Sequence, residues 1–189
     1  MSDRSDRFDL AARWACPIAL LLFVAGRCLV PVDETDLFFN LRLGEIVLHD
    51  HAVPRTNLLS FTCPDARDVN LAWVFQIVLA LAHRVAGVSG TLWLKIAFVL
   101  ATMAVLYRVA IRRGAHPVAA ALALALSAWA AEPRFVERPH LVTFLGHALT
   151  LLALERAERG VRLRALWLVL PCGLVWANAN SCFFLAPAA

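Results

Sequence analysis

The sequence predicts an all-α membrane protein with about five transmembrane helices and two interfacial helices. Two observations carry this prediction. Of the 189 residues, 61% are hydrophobic and 17% are charged, whereas soluble proteins average about 45–50% apolar and about 25% charged residues. The apolar residues also occur in blocks separated by arginine clusters, as in multi-pass helical proteins, and not along amphipathic stripes.

The basic residues indicate membrane topology and not nucleic-acid binding. The net charge is +4, but the arginines flank apolar segments, and no basic patch is interleaved with aromatic residues that could stack on bases. Arginines beside apolar segments are typical of the cytoplasmic side of a membrane. The clusters are Arg4, Arg7 and Arg13; Arg108, Arg112 and Arg113; and Arg156, Arg159, Arg162 and Arg164.

Segment length and arginine placement together assign each apolar block of a single transmembrane domain, 1–189. The predicted spans are 14–32, 90–111, 117–131, 139–154 and 165–185. An external loop, 33–89, carries the predicted amphipathic helices 37–49 and 70–86. Segment 70–86 is also long enough for a short span, but a span there would place Arg112 and Arg113 outside, so we favour the interfacial interpretation. The chain ends within an apolar run, so we expect it to be the N-terminal part of a longer protein.

An acidic cluster follows the first predicted span. It consists of Asp33, Glu34 and Asp36. Neighbouring carboxylates suit general-base chemistry, and they also suit Mg²⁺ or Mn²⁺, so Glu34 and Asp36 are candidate catalytic residues and candidate metal ligands. The structural alternative is that Asp36 caps helix 37–49 and the other acids favour its dipole. The spacing leaves both interpretations open.

A basic cluster lies on the same predicted side of the membrane. Arg134, Arg138 and His140 are candidate substrate-binding residues, because the guanidinium fork matches phosphate oxygens. The alternative is an ordinary polar loop in which Glu137 pairs with a neighbouring arginine.

Polar side chains within the apolar blocks are weaker candidates. Gln76 and His83 would line the same cavity, or else form the wet side of an interfacial helix. Asn178 and Asn180 would bind a polar ligand or make hydrogen bonds between helices.

The order of these elements resembles the N-terminal half of type C membrane glycosyltransferases, which include protein O-mannosyltransferases and bacterial enzymes that use polyprenyl-phosphate sugars. More closely, four stretches resemble an uncharacterised bacterial membrane family. That family usually has His where this chain has Asn40 and Asn180. The stretches are Glu34-Thr35-Asp36-Leu37-Phe38-Phe39-Asn40-Leu41-Arg42-Leu43-Gly44-Glu45, Pro54-Arg55-Thr56, Arg138-Pro139-His140 and Trp176-Ala177-Asn178.

The resemblance implies an enzyme of the bacterial inner membrane, with a cytoplasmic N-terminus, that transfers a sugar from a lipid-linked donor to an external acceptor. By position, Asp36 would be the general base, Glu34 the accompanying acid, and Arg138 with Arg134 the phosphate clamp. The implied partners are membrane lipid and the lipid-linked sugar donor, and not nucleic acid. The oligomeric state stays open. The rival interpretation is a non-catalytic membrane module, such as a transporter half or assembly subunit, or an inactive fragment.

Overall fold

A computed structural model describes residues 2–29, 35–63, 66–159 and 169–180. Within these ranges the only β pairing is one bridge between Thr56 and Arg67, so the predicted all-α class is confirmed. A 3₁₀ turn, Glu132–Arg134, connects the fourth and fifth helices. The helices are α1 (Ser2–Cys28), α2 (Thr35–Asp50), α3 (Trp73–Arg112), α4 (Pro117–Ala131), α5 (His140–Glu158) and α6 (Val169–Ala177).

Ion pairs between helix ends show that the long helices alternate in direction. Arg27 in the last turn of α1 pairs with Glu132, directly after α4, so α1 and α4 end together. Arg112 at the end of α3 lies 3.3 Å from Glu155 near the end of α5, so α3 and α5 also end together. The end of the bundle that holds the Arg27–Glu132 pair is called the upper end, and the end that holds the Arg112–Glu155 pair is called the lower end. The shared core consists of Leu20, Val24, Ile96, Val99, Met103, Ala120, Ala128 and Leu141 among others.

Helix α3 has a sharp corner and consists of two arms. Ala86 (φ −139°, ψ 19°) and Gly87 (φ 60°, ψ −146°) leave the helical region, and the Gly87 conformation is one that glycine adopts readily. A Cβ atom on Gly90 would lie 2.0 Å from the Ala82 carbonyl oxygen, so the arms meet closely. The predicted helix 70–86 and the predicted span 90–111 lie on either side of this corner.

Helix α2 packs against the first arm of α3 through a glycine. Leu37, Leu41, Phe75 and Leu79 are buried between the two helices. A Cβ atom on Gly44 would lie 2.1 Å from the Gln76 carbonyl oxygen. The absence of a side chain at this position therefore sets how closely the two helices approach.

By length and composition, one helix among the described residues is a candidate to cross a membrane, and this is α3. Helix α4 has 15 residues and is about 22 Å long, shorter than a hydrocarbon core of about 30 Å. Helix α5 carries Glu155, Arg156 and Glu158 in its last turns. Five membrane spans are therefore not supported by helix length and composition.

Two predicted helix bounds require correction. Helix α2 begins at Thr35, so Asp36 lies in its first turn and is not the N-cap. Helix α6 ends at Ala177, so Asn178 and Asn180 follow the helix, while both ends of the predicted span 165–185 lie outside the described residues.

Candidate functional site

At the upper end of the bundle, Arg138 of the basic cluster contacts Asp36 of the acidic cluster. Nη2 of Arg138 lies 3.1 Å from Oδ2 of Asp36, and the two side chains are 40% and 52% exposed. Asp36 lies in the first turn of α2, and Arg138 lies just before α5, where its carbonyl oxygen accepts a hydrogen bond from the Leu141 N–H (3.1 Å). A carboxylate and a guanidinium group that were predicted separately therefore form one solvent-facing pair.

His140 and Arg134 belong to the same turn as Arg138 and contact each other. The Nε2–H of His140 donates to the Arg134 carbonyl oxygen at 2.6 Å, so in the neutral ring Nδ1 is the acceptor. The His140 ring also contacts Phe144 edge-on, with ring centroids 5.3 Å apart. The Arg134 side chain is exposed. The turn before α5 thus carries two arginines, of which Arg138 contacts the Asp36 carboxylate and Arg134 has an exposed side chain.

Glu34 and Asp33, the other members of the acidic cluster, lie outside the described residues. No group of three or more potential metal-ligating side chains occurs in the part of the chain that the structure describes. Of the acidic cluster, the structure therefore describes Asp36.

Gln76 is a structural residue in this fold. Its side chain is buried, its Nε2 donates to Asn40 Oδ1 at 3.1 Å, and its Oε1 accepts from Asn70 Nδ2 at 2.6 Å. Asn40 in turn donates to the Asp36 carbonyl oxygen at 2.9 Å. Gln76 therefore anchors the first arm of α3 to α2, and the prediction that it lines a substrate cavity is not supported.

His83 lies far from the Asp36–Arg138 pair. The adjacent Arg84 lines a polar cavity of about 440 Å³ together with residues from the C-terminal half of α2, including His49. Asp36 is in the first turn of α2, about 20 Å along the helix from His49. The structure therefore does not bring His83 to the candidate site.

A buried ion pair lies directly behind the site, and sequence reasoning missed it. Nζ of Lys95 lies 3.0 Å from Oε1 of Glu137, and both side chains are 2% exposed. Glu137 pairs with Lys95 and not with a neighbouring arginine, which corrects the structural alternative offered for this loop. The pair could have been found from the sequence, because Lys95 lies near the upper end of the predicted span 90–111 and Glu137 lies just before the predicted span 139–154.

Among the described residues, three ion pairs attach the segment 132–140 to other helices at the upper end, and one hydrogen bond lies within the segment. Glu132 pairs with Arg27, Glu137 with Lys95, Arg138 with Asp36, and His140 with the Arg134 carbonyl. The guanidinium groups that face solvent are therefore carried by a segment that α1, α2 and α3 all fix in position.

Asn178 and Asn180 join helices, as in the structural alternative for these residues. Asn178 Oδ1 accepts a hydrogen bond from Trp73 Nε1 at 3.0 Å. Thr143 Oγ1 accepts hydrogen bonds from Asn180 Nδ2 at 2.8 Å and from Trp176 Nε1 at 3.0 Å. These bonds attach the C-terminal turn to α3 and α5.

Comparison of this chain with family models, curated proteins and solved structures finds no match.

Proposed function

We propose that this chain is a multi-pass membrane domain of the bacterial inner membrane, with the upper end facing outward. Large apolar side chains on the outer faces of several helices support this, because soluble monomers rarely expose extensive apolar patches. The alternating helix directions also put Arg112 and Arg113 at the lower end, together with Arg156 in the last turn of α5, which agrees with the positive-inside tendency. The exposed apolar residues include Trp14, Leu22, Leu122, Leu126, Trp129, Leu170 and Leu174.

This topology predicts opposite labelling of two exposed positions. Cysteine introduced as Asp50→Cys, at the end of α2, should react with a membrane-impermeant maleimide added outside intact cells. Cysteine introduced as Ala115→Cys, between α3 and α4, should react only after permeabilisation. Labelling of the parent chain measures the reaction of its native cysteines, and this background is subtracted. Equal labelling of both positions from one side would contradict the arrangement of α3.

We propose further that the upper end transfers a sugar from a polyprenyl-phosphate donor to an external acceptor. The observation that supports this is the 3.1 Å contact between Asp36 and Arg138, in which both side chains remain about half exposed. Sugar transfer from a lipid phosphate needs a proton acceptor beside the attacking hydroxyl and cations beside the departing phosphate. The Asp36–Arg138 pair places one of each within a single contact.

In this proposal the acceptor hydroxyl loses its proton to the Asp36 carboxylate as its oxygen bonds to the anomeric carbon. The bond from that carbon to the phosphate oxygen breaks, and the phosphate keeps the electron pair. Arg138 and Arg134 stabilise the resulting charge. Arg138 exchanges part of its contact with Asp36 for the phosphate, which an exposed pair allows at small cost because such pairs contribute only about 0–1 kcal/mol.

Asp36→Asn in the full-length protein should lower sugar transfer from the lipid-linked donor by about a hundredfold or more, because the proton acceptor is lost. The measurement is transfer of radiolabelled sugar from polyprenyl phosphate in purified membranes, with insertion checked by membrane extraction. Asp50→Asn is the matched control, since it changes an exposed aspartate at the other end of the same helix and should transfer normally. Normal transfer by Asp36→Asn would remove the general-base proposal.

The second candidate is a non-catalytic module, such as an assembly subunit. The buried Lys95–Glu137 pair and the Gln76 network favour it, because they use polar groups of the upper end for structure. This candidate predicts no sugar transfer by the parent protein and an unchanged phenotype for Asp36→Asn, so the same assay separates the two.

A further inference from the structure

A cavity of about 540 Å³ lies at the lower end of the bundle, opposite the candidate site. It lies between the start of the apolar part of α1, the last turns of α3 and the loop that leads to α4. Its walls are Arg13, Tyr107, Ile111, Gly114, Ala115 and Pro117.

Tyr107 lines this cavity and carries a hydroxyl group without a partner among the described residues. Its side chain is 9% exposed, and its hydroxyl oxygen is buried with no hydrogen-bond partner among the described residues. Buried tyrosine hydroxyls normally have a partner, because an unmet donor costs free energy. A bound ligand with an acceptor atom within reach of the Tyr107 hydroxyl would therefore supply the missing hydrogen bond.

The other lining residues of the cavity favour the binding of an anionic ligand. Arg13 contributes an exposed guanidinium group, and none of the described lining residues is acidic. Helix α4 begins at Pro117 in the cavity wall, and the N-terminus of a helix favours negative charge. His116, the residue before Pro117, caps this helix by accepting the Val118 N–H on Nδ1 at 3.3 Å.

We propose that this cavity binds the phosphate group of an anionic phospholipid from the membrane leaflet at the lower end. A guanidinium group, a buried hydroxyl and a helix N-terminus together suit a phosphate diester. A lipid is favoured over free phosphate for two reasons. The walls include apolar Ile111 and Pro117, and Trp14, next to Arg13, is 71% exposed, as is typical of a residue at the membrane interface. The inference rests on the proposed membrane location and not on sugar transfer.

The experiment measures lipid retained by the purified full-length chain. The protein is placed in nanodiscs of phosphatidylcholine containing a minority of phosphatidylglycerol, and native mass spectrometry counts the phosphatidylglycerol molecules that remain bound. The parent protein should retain phosphatidylglycerol in preference to phosphatidylcholine. Tyr107→Phe and Arg13→Gln should each weaken this retention by about tenfold, since each removes a hydrogen bond to a charged group.

Arg156→Gln is the matched control, because it removes one positive charge at the same end of the bundle but lies outside the cavity, and its retention should stay at the parent level. Tyr107→Phe tests the proposal even if Arg13→Gln folds poorly, because the Tyr107 hydroxyl makes no hydrogen bond to a described residue and its removal should not disturb the fold. Three results would overturn the proposal. These are unchanged retention by Tyr107→Phe, equal loss by Arg156→Gln and Arg13→Gln, or displacement of the lipid by millimolar inorganic phosphate. Sugar transfer is not part of the readout, so failure here leaves the proposed enzyme activity unaffected.

Discussion

Lys95→Met is expected to destabilise the fold by about 3–5 kcal/mol, because it leaves Glu137 buried without its counter-charge. Both partners are 2% exposed, and their charged atoms lie 3.0 Å apart. Water has little access to the carboxylate once the ammonium group is gone. The measurement is chemical or thermal unfolding of the purified protein in detergent, followed by intrinsic fluorescence of its 6 tryptophans.

Two further variants test this explanation. Lys95→Met combined with Glu137→Met should recover most of the lost stability, since well-packed apolar residues often replace a buried ion pair without net cost. Arg113→Met is the matched control, because its pair with Glu158 has side chains 54% and 66% exposed and should contribute less than about 1 kcal/mol. A single Lys95→Met variant as stable as the parent would show that the Glu137 carboxylate does not depend on Lys95.

Gly44→Val is expected to cost roughly 3 kcal/mol, because the new side chain collides with backbone and not with a flexible neighbour. A Cβ at Gly44 would lie 2.1 Å from the Gln76 carbonyl oxygen. Relief of this clash requires α2 to move away from α3. That movement would loosen the buried contacts of Leu41 and Phe75 and stretch the hydrogen bond from Gln76 to Asn40.

The same unfolding measurement applies, and the chain offers a control at another helical glycine. A Cβ at Gly26, in the last turns of α1, would meet nothing within 4 Å. Gly26→Ala should therefore leave stability unchanged or raise it by about 0.5–1 kcal/mol, as alanine does in a helix. If Gly44→Val and Gly26→Ala behave alike, the close approach of α2 and α3 is not a determinant of stability.

The glycine at position 44 illustrates a limit of sequence reasoning. The sequence pattern predicts an amphipathic helix over 37–49, and the structure has a helix over Thr35–Asp50. Nothing local distinguishes Gly44, at a helix crossing, from Gly26, in open space. The difference depends on which surface of another helix lies opposite.

The sequence by itself determined the helical class and the approximate positions of most helices, because hydropathy and helix-breaking residues act over neighbouring positions. It also identified Asp36 and Arg138 as separate candidates, since interfacial charges next to apolar segments are visible locally. Only the tertiary structure decided that these two form one pair, that Gln76 is buried, and that Lys95 neutralises Glu137. Each of these facts joins residues far apart in the chain, and such contacts depend on helix direction, on crossing distance and on the corner at Gly87. A buried ion pair is stable only where packing brings both charges together, so no single segment of sequence specifies it.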